Sequence, residues 1–402
     1  MNAKFSRFVG LALASSVVLA ACATPTPPPA PTKAPAAATA VPAPTAAPAP
    51  TVAPAPTAVP APTKAPEPTK APEPTKAPVA KMKIGLVTDI GSLDDKSFNA
   101  SAWAGVQQLA KEMGDKVEVK AIESKQPTDY LKNMQTFINE GYDLVFGVGF
   151  LMGDDMLKVA QDAEKAGAKT KFAIVDYAYD DKAPKNLTGL VFAEDESGFL
   201  AGAVAGLMTK SNVIGGVYGI NIPPVCKFRV GYELGAKAVN PNVKTLGAYQ
   251  EPGPKAFNDP EWGEKTANSQ IGEKADIIFS AGGNTGNGGL RGIAKQAKAG
   301  KAVLGIGVDQ DQWNTLEEAK PILLTSAMKR VDQSTYLTAK ALVEGKLTGG
   351  VTVFDIKNGG VGVAPFHDLD SKVSAETKAK IDKLTADLKS GAVKTNVPSP
   401  CK

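Results

Sequence analysis

Histidine is almost missing from this chain of 402 residues: His367 is the only one. That removes His-based catalytic triads and leaves zinc sites short of their usual ligands. His367 sits in a Pro- and Asp-containing stretch and reads as a surface residue. Cysteine is scarce too, with Cys22, Cys226 and Cys401 alone, too few for a cysteine-rich metal site. No metal and no cofactor is expected. Charge of one sign is not in excess: 45 Lys and Arg against 41 Asp and Glu give a formal +4, and the two signs are interspersed. No basic stripe is interleaved with aromatics, so nucleic acid is not a partner. The carboxylate pairs Asp94/Asp95 and Asp154/Asp155 have the parts for acid–base work. Neighbouring carboxylates on loops and helix starts are more often caps or solvated charges. The composition therefore speaks against an enzyme.

A long apolar run occurs once, at the start. Lys4 and Arg7 precede an apolar stretch over 9–19, and the segment ends in Leu19-Ala20-Ala21-Cys22. It is short for a membrane span and has the layout of a secretory signal. Its end resembles a lipobox, the signal for cleavage before a cysteine that becomes lipidated, so Cys22 is the expected lipidation site. Several acyl chains on one residue satisfy the need for more than one chain in stable anchoring. Residues 23–80 are almost entirely Ala, Pro and Thr and end in T-K-A-P-E-P repeats. Nothing here can bury a core and offset ordering entropy. Proline at this density favours extended polyproline II, which at ~3.1 Å per residue reaches on the order of 150 Å. The segment reads as a disordered tether between a lipid anchor and a domain; the competing reading is a proline-rich ligand for SH3-like modules.

Residues 81–402 are the folded part, and their length suggests two lobes. Short apolar runs at 84–87, 117–122, 144–148, 171–175, 213–218, 243–249, 277–280, 302–305 and 322–325 read as buried strands. Helical spacing fills the gaps, at Phe98–Ala102–Val106–Leu109 and over 157–166, 198–208, 230–239, 292–299 and 336–344. Alternation of this kind means α/β with parallel sheets. Two such sheets give two lobes with a cleft between them. Crossings are expected near 194–211 and 327–332, with lobe 1 at about 81–195 plus 327–350 and lobe 2 at about 196–326 plus 351–402.

In open α/β sheets ligands sit at the carboxyl ends of the strands. Polar residues gather there repeatedly. Asp89 to Asn99 follows the first strand, Asp176 follows 172–175, and Asp309, Asp311 and Gln312 follow 303–306. Lys329 and Arg330 follow 323–326. The stretch A-G-G-N-T-G-N-G-G from Ala281 lacks both the G-K-[ST] ending of a P-loop and dinucleotide spacing. It reads as a loop where missing side chains let a ligand near the backbone. These groups converge on a site for a small molecule. Outside the cytoplasm Cys226 and Cys401 can pair and pin the tail, or stay free.

Several of these segments carry a resemblance. V-T-D-x-G with D-K-S-F-N, K-F-A-I-V-D ending at Asp176, F-R-V-G-Y-E-L-G from Phe228 and A-F-N-D-P from Ala256 are similar to the basic membrane protein family. So are A-D-I-I-F-S-A-G-G-N-T-G-N-G from Ala275, G-V-D-Q-D-Q from Gly307, T-S-A-M-K-R-V-D from Thr325 and the closing G-G-V-G-V-A-P-F. These are lipid-anchored, extracytoplasmic substrate-binding proteins of ABC importers, and several bind purine nucleosides. The resemblance implies a type I periplasmic-binding-protein fold of two Rossmann-like lobes. It also implies a monomer that hands its ligand to a permease with its ATPase. Carried over residue by residue, Phe98 and Phe257 would stack on a base, while Asp89, Asn99 and Asp176 would bond the base edge or ribose. Asp309 would accept from ribose hydroxyls, Lys329 would donate to ribose oxygens, and Gly283 would allow backbone approach. A surface receptor or adhesin on the same fold, or a different small polar ligand, is the alternative.

Overall fold

The computed structural model describes residues 81–180, 183–399 and 401. The expected signal segment, Cys22 and the tether lie outside the described residues.

Two six-stranded sheets form, in the strand orders β11-β5-β4-β3-β1-β2 and β12-β10-β9-β8-β6-β7. The first takes β1 (Met82–Ile90), β2 (Val117–Ser124), β3 (Leu144–Val148), β4 (Lys171–Val175), β5 (Leu187–Phe192) and β11 (Gly350–Phe354). The second takes β6 (Val213–Tyr218), β7 (Lys244–Tyr249), β8 (Ile277–Ala281), β9 (Leu304–Asp309), β10 (Leu323–Lys329) and β12 (Val361–Val363). All pairings are parallel except that of β12 with β10. The central strands are buried on both faces, which is why they read as unbroken apolar runs. Helices α1 (Phe98–Met113), α2 (Tyr130–Asn139) and α3 (Gly153–Lys165) cover the first sheet. Helices α4 (Glu194–Met208), α5 (Pro223–Val239), α6 (Pro260–Gly272), α7 (Gly283–Lys298) and α9 (Ala375–Ser390) belong to the second.

The chain passes between the sheets three times. The first passage is β5 to α4, and the second leaves β10 at Lys329 for α8 (Val331–Val343), which lies on α1 with Thr335 Oγ1 donating to the Ala102 carbonyl at 2.9 Å. The third runs from β11 to β12, a few residues after the change of lobe expected at 350/351. Two segment assignments change with it. Residues 327–329 stay in the second sheet, paired with β9 and β12. Residues 351–354 sit in the first sheet, where β11 extends it beside β5. Strands β5, β11 and β12 were not read from the sequence. β11 has four exposed residues and β12 is three residues long, so neither carries a buried run.

The glycine-rich stretch is not a loop. From Gly283 onward it is the first turns of α7. A Cβ at Gly288 would lie 2.0 Å from the Pro260 carbonyl oxygen, and one at Gly263 would lie 1.9 Å from that of Thr285. These glycines let α6 and α7 touch backbone to backbone. The same device joins α4 and α5. Cβ atoms at Gly198, Gly202 and Gly206 would run into α5 backbone, and those at Gly231 and Gly235 into α4 backbone. The close pair holds Lys227 and Phe228 of α5 beside Glu194 of α4. At the other end of the chain, a disulfide joins Cys226 of α5 to Cys401 across 175 residues of sequence.

Gly202→Ala tests the helix contact. A Cβ there would lie 1.9 Å from the Tyr232 carbonyl oxygen. At an open helix position Gly to Ala gains about 1 kcal/mol. Here urea denaturation should show a loss of about 1–3 kcal/mol. Gly272→Ala, with nothing within 4 Å, should be neutral or better.

Candidate functional site

The carboxyl ends of the central strands of both sheets face one cavity of about 640 Å³, which includes space continuous with solvent. All eight residues expected to touch a ligand line it: Asp89, Phe98, Asn99, Asp176, Phe257, Gly283, Asp309 and Lys329. Asp89 lies within β1 rather than in the loop after it. The pairing of β1 with β2 continues past Val87, the end of the apolar run, to Ile90 and shifts register between these two residues. A shift of this kind re-aims the side chains it carries. Across from Asp89, Gly149 has φ +127°, and a Cβ there would lie 2.1 Å from Asp89 Oδ2. Only glycine fits that position.

Three expected site residues other than glycine have left-handed backbones: Asp176 at φ 76°, Asp309 at φ 66° and Phe257 at φ 60°. Side chains other than glycine pay for this conformation, and it concentrates at functional positions. Asp176 and Asp309 stand where a strand ends and turns, so the twist aims both carboxylates into the cleft.

Lys329, the last residue of β10, is 1% exposed. Its Nζ lies 2.6 Å from Asp176 Oδ1 and 3.1 Å from Glu194 Oε1. The other Glu194 oxygen takes Lys227 Nζ at 3.1 Å. The Lys329 ammonium also sits 5.1 Å from the centre of the Phe98 ring and 5.9 Å from that of Phe228. Burial pulls an ammonium towards neutrality, but Asp176, Glu194 and Asp309 outweigh it and hold the Lys329 pKa above its ordinary value.

The carboxyls are raised as well, but by burial rather than by their partners. Burial drives Asp89 well above the carboxylate range, and the neighbouring charges of Asp95 and Asp176 add to it. Burial also lifts Asp176 to about 6 against the pull of Lys329. It lifts Asp309 to about 6 against Lys329 and a hydrogen bond from Ser97. Asp95 reaches about 6 through burial, although it accepts from the backbone N–H groups of Ser97, Asn99 and Ala100. Asn99 is 3% exposed and lines the cavity, and its Oδ1 has no hydrogen-bond partner among the described residues. A buried acceptor left open in a cavity wall is suited to a donor on a ligand.

Sequence reasoning missed part of this wall. Phe150 follows β3, and the strand-end rule applied there would have found it. Val225 and Phe228 come from the first turns of α5 and Ile222 from its N-cap, which no strand-end rule reaches. Other candidates fall elsewhere. Arg330 pairs with Asp332 at 2.8 Å. Gln312 is buried and reaches the Lys96 carbonyl. His367 is partly buried, stacks on Trp313 with ring centres 4.4 Å apart and bonds Asp311 Oδ2 at 2.6 Å. None of these lines the cavity.

The shifts set a pH dependence. A carboxyl whose folded pKa is raised binds more protons folded than unfolded. Its stabilising contribution is complete below the unfolded value and is lost as pH rises through the folded one. For Asp95, Asp176 and Asp309 that window runs from the ordinary carboxylate value of 3.8 to about 6. Each shift is an effect of at most ~3 kcal/mol. The unliganded wild type should therefore be more stable to urea at pH 5 than at pH 7. Asp309→Asn should reduce that difference. An unchanged pH dependence in the variant would place the effect at other groups.

The family described as "ABC transporter substrate-binding protein PnrA-like" matches residues 81–396. A Lactococcus lactis protein named "ABC transporter nucleoside-binding protein BmpA" is 33% identical over 335 residues, covering 79% of this chain and 89% of that protein. Basic membrane protein A of Borreliella burgdorferi is 33% identical over 309 residues, 76% of this chain and 85% of the relative. Among solved structures, a solute-binding protein from Aeropyrum pernix superposes with a TM-score of 0.69 at 24% identity, covering 78% of this chain and 92% of that one. A periplasmic solute-binding protein from Actinobacillus succinogenes has a TM-score of 0.56 at 17% identity, covering 73% and 100%. These two share the type I periplasmic-binding-protein architecture. By its family match and its relatives, the chain belongs to the PnrA-like family of ABC transporter substrate-binding proteins, which bind solutes and carry out no chemistry on them.

Proposed function

We propose that the protein captures a purine nucleoside outside the cytoplasm, closes its lobes around it, and delivers it to a permease and ATPase while tethered to the membrane through Cys22. The observation that carries the ligand reading is the pairing of aromatic and carboxylate walls in one cavity. Phe98 and Phe257 offer flat faces for a heterocycle, joined by Phe150 and Phe228. Asp176 and Asp309 offer acceptors for hydroxyl donors, since one carboxylate takes two neighbouring O–H groups. Asp89 and Asn99 face the base edge, and Lys329 donates to ribose oxygens. The naming of the Lactococcus relative as a nucleoside-binding protein supports the same reading.

Asp309→Ala should weaken nucleosides more than the matching free bases, because a base has no ribose hydroxyls to lose. The wild type should prefer nucleosides, and the variant should lose that preference. Phe98→Ala and Phe257→Ala should each cost about 1–3 kcal/mol of binding. Calorimetry with inosine, guanosine, adenosine and their bases measures all of this. Equal weakening of base and nucleoside by Asp309→Ala would remove the ribose assignment. No binding of any nucleoside at millimolar concentration would remove the ligand reading.

The anchor rests on the lipobox resemblance and on extracytoplasmic action, which is where substrate-binding proteins of importers work. Among the described residues no helix is long and apolar enough to cross a membrane. Cys22→Ala should move the protein from the detergent phase to the aqueous phase on Triton X-114 partitioning. Unchanged partitioning would end the lipid-anchor reading.

A further inference from the structure

Three successive carbonyls of the segment leading into α1, those of Asp95, Lys96 and Ser97, all point into the opposite lobe. Asn287 Nδ2, on α7, donates to the Asp95 carbonyl at 2.6 Å. Gln312 Nε2 and Thr315 Oγ1 both donate to that of Lys96 at 3.1 Å. Gln310 Nε2 reaches that of Ser97 at 3.3 Å. Ser97 Oγ completes the set by donating to Asp309 Oδ2 at 2.6 Å. The receiving side is itself braced. Gln312 Nε2 also bonds Asn287 Oδ1 at 2.8 Å, and Gln312 Oε1 accepts the Val308 N–H at 3.0 Å. On the giving side Asp95 ties the segment to α1, and Lys96 is held at φ 54°. A lysine in the left-handed region is a conformation the surroundings impose.

Asn287, Gln312, Thr315 and Lys96 do not line the ligand cavity. Their bonds form between the two lobes and are available only when the lobes meet. The backbone carbonyls of residues 95–97 therefore do a different job from the cavity-lining side chains around them, although the Asp95 side chain also borders the cavity. The geometry points to a closing latch: residues 95–97 of the first lobe, held by Asn287, Gln312 and Thr315 of the second, add closing free energy that does not depend on which ligand is present. Apparent affinity scales with the fraction of binding-competent protein, so a latch tunes affinity for every ligand by the same factor. It acts on release more than on capture, because the bonds form after encounter. Ligand-contacting residues, in contrast, change the ratio between ligands. Asn287, Gln312 and Thr315 are positioning residues in this sense.

The latch rests on the solute-binding reading, and the test separates it from the choice of ligand. Asn287→Ala removes one cross-lobe bond, and Thr315→Val removes another with little change of shape. Both go into the full chain carrying Cys22→Ala, with spin labels at Lys125→Cys and Lys255→Cys, exposed residues just beyond β2 and β7 at the cleft end of each lobe. Ligand-free protein with an intact latch should populate the short inter-lobe distance, and each variant should deplete it. With inosine and hypoxanthine as probes, each variant should raise Kd about 2- to 10-fold, as loss of one hydrogen bond does. The increase should lie mainly in the dissociation rate, with the nucleoside-to-base ratio unchanged. Unaltered distances in both variants, or a ligand-free wild type with the long distance alone, would overturn the latch. A collapse of the nucleoside-to-base ratio like that expected of Asp309→Ala would overturn it too. If inosine does not bind, the ligand proposal falls while the distance measurement still judges the latch.

Discussion

The buried ammonium of Lys329 is the constraint to which the two lobes answer. It ends a central strand of the second sheet, its first partner, Asp176, ends a strand of the first, and its second, Glu194, opens the helix of the first crossing. An ammonium taken out of water costs several kcal/mol unless charges and hydrogen bonds surround it. Here the two partners come from different parts of the chain, so the group is satisfied only when both are in place. Lys227 then anchors Glu194 from behind. The backbone-to-backbone contact of α4 and α5 is what brings Lys227 and Phe228 close enough to take part.

Around that ion cluster the cavity is acidic, and its carboxyls are lifted in pKa by burial. Such a site is poor ground for a phosphate and good ground for hydroxyl and N–H donors, which a carboxylate receives without a further buried charge. The aromatic rings at the same walls favour a flat ring. A site of this design also stores strain, in the left-handed backbones of Asp176, Asp309 and Phe257. The positions that aim polar groups into the cleft are among those where the local conformation is unfavourable. This is how a rigid scaffold fixes acceptors ahead of ligand arrival.

The lobes meet beside the ligand cavity as well as across it. Ser97 links the two regions, because its hydroxyl bonds Asp309 while its carbonyl joins the cross-lobe contacts. In the proposed reading closure and ligand recognition share one carboxylate, so substitution of Asp309 acts on both, whereas Asn287 and Thr315 report on closure alone.

Much of the site was legible in the sequence because parallel strands announce themselves as apolar runs and place the following residue at the cleft. That rule puts Asp176, Asp309 and Lys329 at the cavity with no knowledge of the rest. The same rule marks the segment that holds Phe98 and the glycine stretch that holds Gly283, whereas Phe257 came from family resemblance alone. The alternation of runs and helical spacing was likewise enough for two parallel sheets. Tertiary structure decided the remainder, since local pattern does not encode it. Exposed β11 and short β12 take their sheets from pairing, not from burial periodicity. The glycine run reads locally as a loop, yet it forms a helix because its missing side chains are needed for contact with α6. Phe228 enters the cavity through helix packing, and the amides facing residues 95–97 lie about 200 residues away in sequence. Sequence determines which residues end up at strand ends; only the folded lobes decide which of those meet across the cleft, because hydrogen bonds between distant segments depend on position in space.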